Sequence, residues 1–320
     1  MPEPDDRGPS STLAERNVNR VRVLAVTTAV STYLLVVLGS TVRVSDSGMG
    51  CSSWPLCDGR VGPIDHVHPL LEQSHRYLAT IVVIAIVGLI ALTRRGGARV
   101  RQVRAYAVVS LAIVAVQIVL GAITVLTDNA PATVAAHLVV GLVFLAVVTV
   151  TAIASFIDTP SFWHRFEGDW LAWASVGVLF VVLLSGSIVV DGGAESACRS
   201  WPACLASPSP TRLVMLQYAH RFLVVIATGF VVAYLVRLWR SHEPVQRLTS
   251  LVGITLLVAQ VAVGAFDAVL GAPAVLADVH LALASALWTV VVGALAGSAL
   301  APGPRWSAGA RRASADRLVR

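Results

Sequence analysis

Lysine is absent from this chain: all 24 basic residues are arginine. Charge of either sign is scarce, at 13 % of residues against 56 % hydrophobic, with a mean hydropathy of +0.76. So little charge excludes a soluble globular domain, and the recurring polar loops exclude one continuous apolar core. The apolar runs do not alternate with polar residues and are longer than barrel strands, which excludes a membrane β-barrel. No small-residue cleavage motif follows the first run, so it reads as a retained helix and not as a signal peptide.

What remains is an all-α integral membrane protein. Runs of roughly 20 residues, enough to cross the hydrocarbon slab as helices, occupy Val23–Val42, Glu72–Leu92, Ala105–Leu126, Ala132–Phe156, Trp170–Val190, Met215–Val236, Leu248–Phe266 and Leu276–Ala299. Arginines gather in the N-terminal tail, in Thr93–Arg104, in Arg237–Arg247 and in Arg305–Arg320, all on one side of these spans. The positive-inside rule makes that side cytoplasmic and puts both termini there. Topology thus explains the pI near 9.7. The expected partner is the lipid membrane, with no nucleic acid; self-association into a homo-oligomer is compatible with the sequence but not indicated by it.

Cysteines number only four, in CSSWPLC (Cys51 to Cys57) and CRSWPAC (Cys198 to Cys204), and both pairs fall in outer loops. Thiols there can be oxidised and stay so. A Pro-directed turn between cysteines six apart can bring their Cα atoms within disulfide range. Three readings are open: a loop staple, a redox-active pair and, for the first loop, a zinc site completed by His66 and His68.

The echo extends beyond the cysteines. At an offset of about 145 residues, GSTV (Gly39–Val42) matches GSIV (Gly186–Val189), QSHR (Gln73–Arg76) answers to YAHR (Tyr218–Arg221), and Gln117 and His137 answer to Gln260 and His280. The chain therefore reads as two tandem, pseudo-symmetric four-helix bundles in the same orientation. The boundaries are an N-terminal tail 1–22, a first bundle 23–157, a linker 158–169, a second bundle 170–299 and a C-terminal tail 300–320.

Of the eight histidines, His66, His68, His164 and His242 lie in loops, whereas His75, His137, His220 and His280 open the second and fourth helix of each copy. Ionisable groups at membrane depth are uncommon and usually functional. Two neutral imidazoles facing each other across a bundle can take both axial positions of a haem iron. A bare metal ion fits less well, because each copy offers only two histidines and at most one nearby carboxylate. Hydrogen-bonded interfacial histidines are the plain alternative.

The copies also differ. Glu72 stands three residues before His75, on the same helical face, where the second copy has Gln217. Arg43 has Val190 as its counterpart. A proton-handling acid is thus present in the first copy alone, so one half reads as catalytic and the other as holding a cofactor; a carboxylate favoured by the helix dipole is the plainer reading of Glu72. Arg76 and Arg221 recur beside the histidines, to pair with haem propionates or to snorkel.

With these residues assembled, the chain resembles the haem A synthase family over nearly all of Val23–Ala299: two tandem bundles, VRVSDSGMGCSSWPLC before the second helix, EQSHR with Glu72 and His75, and histidines at 137, 220 and 280. The resemblance implies a bacterial plasma-membrane enzyme that oxidises a methyl group of haem O to a formyl group by successive hydroxylations. It implies that His75 and His137 bracket the substrate haem, with Glu72 handling protons. His220 and His280 would hold a haem b for electron transfer. The cysteine loops would serve haem transfer or redox chemistry, and haem O synthase and cytochrome c oxidase assembly factors would be partners. An electron-transfer cytochrome would use the same four histidines without needing the Glu72/Gln217 difference. A haem carrier or exporter would bind haem and leave it chemically unchanged, and a cofactor-free transporter would bind none.

Overall fold

A computed structural model describes residues 9–51, 53–57, 59, 61, 66–94, 98–157, 169–204, 207–241 and 243–300. Residues 1–8 of the N-terminal tail, the linker residues 158–168, His164, His242 and the C-terminal residues 301–320 lie outside them. Its elements are α1 (Pro9–Val44), α2 (Val67–Leu92), α3 (Ala98–Leu126), α4 (Pro131–Ala154), α5 (Trp170–Asp191), α6 (Thr211–Arg240), α7 (Pro244–Leu270) and α8 (Ala274–Leu300). All eight are long and apolar enough to cross a membrane.

The expected spans are found, and the helices outrun them. α1 begins at Pro9, not at Val23, because nothing between those residues breaks a helix: no glycine or further proline interrupts SSTLAERNVNR. Where helices stop, local chemistry explains it. α4 and α7 open on prolines at the first turn, where the missing N–H costs nothing. The Asp169 side chain caps α5 by accepting from the Ala172 N–H at 3.0 Å. α7 closes on Gly271 in the left-handed region, φ 80°. Hydroxyls inside the helices such as Thr32, which donates to the Thr28 carbonyl at 2.8 Å, and Thr149, which donates to that of Leu145 at 2.7 Å, bond back to the preceding turn and so enter the bilayer satisfied.

In the first unit α1 packs on α2 and α4, and α3 on α2 and α4; α5 to α8 repeat this order. The units meet where α8 lies on α4 and α1, and α5 on α4. The seam is apolar and dense. Leu142 and Leu145 of α4 are buried with Tyr234, Leu287, Trp288 and Val291, the Trp288 ring tilts against Phe180, and its N–H donates to the Leu142 carbonyl at 3.0 Å. One end of the bundle carries both cysteine loops and the α3–α4 and α7–α8 turns, with Gly48 against Asn129 and Gly271 against Arg199. At the other end, Arg22 donates to the Ser155 carbonyl at 3.3 Å and Arg237 pairs with Asp169.

Candidate functional site

The four membrane-depth histidines stand in two facing pairs. His75 of α2 is the neighbour of His137 of α4 in the first unit, and His220 of α6 that of His280 of α8 in the second. All four are half-buried, and each starts within about three turns of its helix's first residue, at the cysteine-loop end.

Each ring leans on a glycine of the preceding helix. A Cβ on Gly39 would stand 3.1 Å from His75 Nε2, on Gly121 3.2 Å from His137 Cε1, on Gly186 3.4 Å from His220 Cε1 and on Gly264 2.5 Å from His280 Cε1. The ring nitrogens are held differently. His220 Nδ1 lies 2.7 Å from Ser185 Oγ, whose hydroxyl also reaches the Val182 carbonyl at 2.7 Å. Both contacts are satisfied when the serine donates to Val182 and accepts from Nδ1–H, which leaves the Nε2 lone pair free. Gln260 Nε2 is 3.2 Å from His280 Nε2, and Gln117 Nε2 donates to the His137 carbonyl at 2.7 Å. Nδ1 of His137 and of His280 is buried without a partner, as is Oε1 of both glutamines.

Glu72 is buried at 5 % exposure. One carboxylate oxygen accepts the Cys51 N–H at 2.8 Å and the other pairs with Arg76. Arg76 also donates to the Ser53 and Pro55 carbonyls at 2.8 and 3.1 Å, pinning the cysteine loop to α2. The second unit repeats the clamp: Arg221 donates to the Ser200, Pro202 and Cys198 carbonyls at 2.8, 3.1 and 3.1 Å. Gln217 there donates to the carbonyls of Ala194 and Glu195. Both loops close as disulfides, Cys51–Cys57 with Cα atoms 4.7 Å apart and Cys198–Cys204 with 5.3 Å, and both Trp-Pro bonds are cis. His66 occupies the N-cap position of α2, exposed and without a side-chain capping bond, and His68 Nδ1 is 2.8 Å from Ser47 Oγ. Among the described residues, no three His, Cys, Asp or Glu side chains converge as a bare-metal site would require.

Arg43 reaches across the seam to pair with Asp191 at the end of α5, and Asp191 also accepts from Ser187 at 2.9 Å. Beside it Thr41 donates to Asp278 of α8 at 2.8 Å. Sequence reasoning missed Ser185, the contacts of Gln117 and Gln260 to His137 and His280, and the four glycines. Their signal was in the repeats already aligned, LGS against SGS and QIVLG against QVAVG, in which glutamine and glycine share one helical face four residues apart.

A family model described as cytochrome oxidase assembly protein (COX15-CtaA) matches residues 22–70 and 66–292, most of the chain and both histidine pairs. The chain belongs to this family. Among the family's curated proteins, heme A synthase of Geobacillus thermodenitrificans is 28 % identical over 258 residues, covering 75 % of this chain and 80 % of that protein. Heme A synthase of Bacillus cereus (strain G9842) is 26 % identical over 287 residues, 85 % of this chain and 91 % of that one. The cytochrome oxidase assembly family thus spans both four-helix units here, so the site is read as a whole and not as one detached bundle.

Proposed function

We propose that this chain is a haem A synthase of a bacterial plasma membrane, an oxidoreductase that converts a methyl group of haem O to the formyl group of haem A. The observation that carries the reading is an asymmetry. Two like histidine pairs recur, yet a buried carboxylate stands beside one of them only: Glu72 in the first unit, Gln217 in the second. A cytochrome that merely passed electrons would use both pairs and need no acid at one of them, since Gln217 serves the same loop-holding place in the second unit.

The residues fit haem. In each unit a half-buried histidine faces another, and one of them carries a buried ring nitrogen without a protein partner, the donor set of a bis-histidine iron. His75 and His137 would bind the substrate haem O, and His220 and His280 would hold a haem b that supplies one-electron transfer when bound. With water as oxygen source, each hydroxylation of the methyl carbon would release two protons and two electrons, the electrons passing to an electron acceptor of the membrane outside this chain. Glu72 takes a proton: it lies one turn from His75, and Arg76 and the Cys51 N–H hold its carboxylate in place. The cysteine loop, clamped by Arg76, covers this end and limits water at the reacting face.

The arginine-rich tails and loops put both termini in the cytoplasm and the disulfide loops on the outer face. Haem O synthase upstream and oxidase assembly factors downstream would exchange haem with the chain within the membrane, since haem O is too insoluble to diffuse freely. The test is expression in cells that make haem O and lack a haem A synthase of their own, followed by chromatography of extracted haems. Haem A is the expected product; haem b bound with no haem A would overturn the assignment.

A further inference from the structure

The two histidine pairs stand at equivalent places in the repeat but do not have the same support. Ligating histidines ordinarily hold their second ring nitrogen in a hydrogen bond that fixes tautomer and orientation, and loss of that bond typically lowers metal affinity by about 10- to 100-fold. In the second unit His220 has that bond, to Ser185. The position equivalent to Ser185 in the first unit is Leu38, directly before the glycine that touches His75. Among the described residues, no side chain hydrogen-bonds either ring nitrogen of His75.

On the reading given above, in which the first unit handles a substrate haem and the second a resident one, we infer that the Ser185/Leu38 difference sets how long each haem stays. Ser185 locks His220 with Nε2 directed away from the bond, a fixed ligand for a haem that must remain through many turnovers. Leu38 leaves the His75 ring free to turn, a ligand that releases its haem once the formyl group is made. The partner histidines follow the same trend: Gln260 reaches the His280 ring at Nε2, 3.2 Å away, whereas Gln117 bonds only the backbone carbonyl of His137. Ser185 is thus a positioning residue acting through His220, and Leu38 a determinant of product release acting through His75.

The experiment uses the purified full-length protein, loaded with haem in detergent, and follows haem transfer to excess apomyoglobin by visible absorbance. Ser185→Ala is expected to release haem b about tenfold faster or more, with an altered low-spin iron spectrum, while Ser185→Thr, which keeps the hydroxyl, releases it at the wild-type rate. Leu38→Ser is expected to retain haem A on the protein after a single turnover, several-fold longer than wild type. Equal rates for wild type and Ser185→Ala overturn the inference, as do equally fast rates for Ser185→Ala and Ser185→Thr, which would mark a merely structural serine. Unchanged haem A release from Leu38→Ser overturns the part concerning the substrate. Wild-type protein that binds no haem b would instead sink the proposed function, and that result is seen before any variant is compared.

Discussion

A methyl group added at Gly264 tests whether the glycine contacts hold the histidines in place. Its Cβ would lie 2.5 Å from His280 Cε1, and ordinary carbon contact begins near 3.5 Å, so the ring or α7 must move by about 1 Å. Overpacking of this kind costs about 1–3 kcal/mol, offset by roughly 0.5–1 kcal/mol because alanine suits a helix interior better than glycine. A net cost of about 1–2 kcal/mol corresponds to a 5- to 30-fold weaker hold on haem in the second unit. Gly186→Ala is the internal control. Its Cβ would meet His220 Cε1 at 3.4 Å, an ordinary contact, so haem b should be held as in the wild type. Gly39→Ala and Gly121→Ala, at 3.1 and 3.2 Å, should fall between. Haem b per protein after purification, by reduced-minus-oxidised absorbance, ranks Gly264→Ala against Gly186→Ala. Substrate haem retained after loading with haem O ranks the first-unit pair. Full haem b in Gly264→Ala, or a larger loss in Gly186→Ala, would refute the reasoning.

Glu72→Gln should fold and keep haem b, since the second unit already carries Gln217 at that place, yet form no haem A; chromatography of extracted haems decides it, and undiminished product would rule out a proton-handling role. Arg43→Val should destabilise more than Asp191→Val, by about 1–2 kcal/mol, because the stranded Asp191 side chain is 12 % exposed whereas a stranded Arg43, at 28 %, can turn to water. Thermal unfolding in detergent reads the difference, and the Arg43→Val/Asp191→Val double variant should recover part of the loss. A membrane-impermeant maleimide should label the cysteines of intact spheroplasts only after reduction; labelling only after permeabilisation would invert the topology.

Much of this arrangement could be read from the sequence, for physical reasons that also mark where reading stops. Apolar runs reveal spans because every backbone polar group in lipid must be bonded within its own helix. They report the hydrocarbon boundary, however, and not the helix end, which is why α1 continues to Pro9 while its apolar run starts at Val23. His75, His137, His220 and His280 were legible because each recurs at a matching place in the repeat. Gly264 was not: its meaning depends on a ring carried by the next helix, and a glycine in a membrane helix is otherwise unremarkable. Arg76 was read as a partner for propionates or as a snorkelling side chain; the loop carbonyls it binds belong to a turn whose path the residue order does not disclose.

The seam between the units explains why a duplicated fold need not behave as two equal halves. A repeat alone would place equivalent residues at both crossings of the pseudo-twofold arrangement. Instead Arg43 and Thr41 of α1 bond Asp191 and Asp278, while their repeat counterparts are Val190, Ile188, Val44 and Ala135. Charges at this depth cost free energy unless paired, so four polar residues on one crossing and four apolar ones on the other specify a single register. The helix so tied is the one that presents Leu38 and Gly39 to His75. α5, which presents Ser185 and Gly186 to His220, joins this crossing through Asp191 and bonds α6 through Ser175, which donates to the Phe230 carbonyl at 3.1 Å. The wall behind His75 is held to two helices of the second unit, so the freedom inferred at His75 belongs to its ring and not to the helix behind it. On the proposed function, that arrangement suits a site that exchanges its haem while keeping a fixed distance to its neighbour.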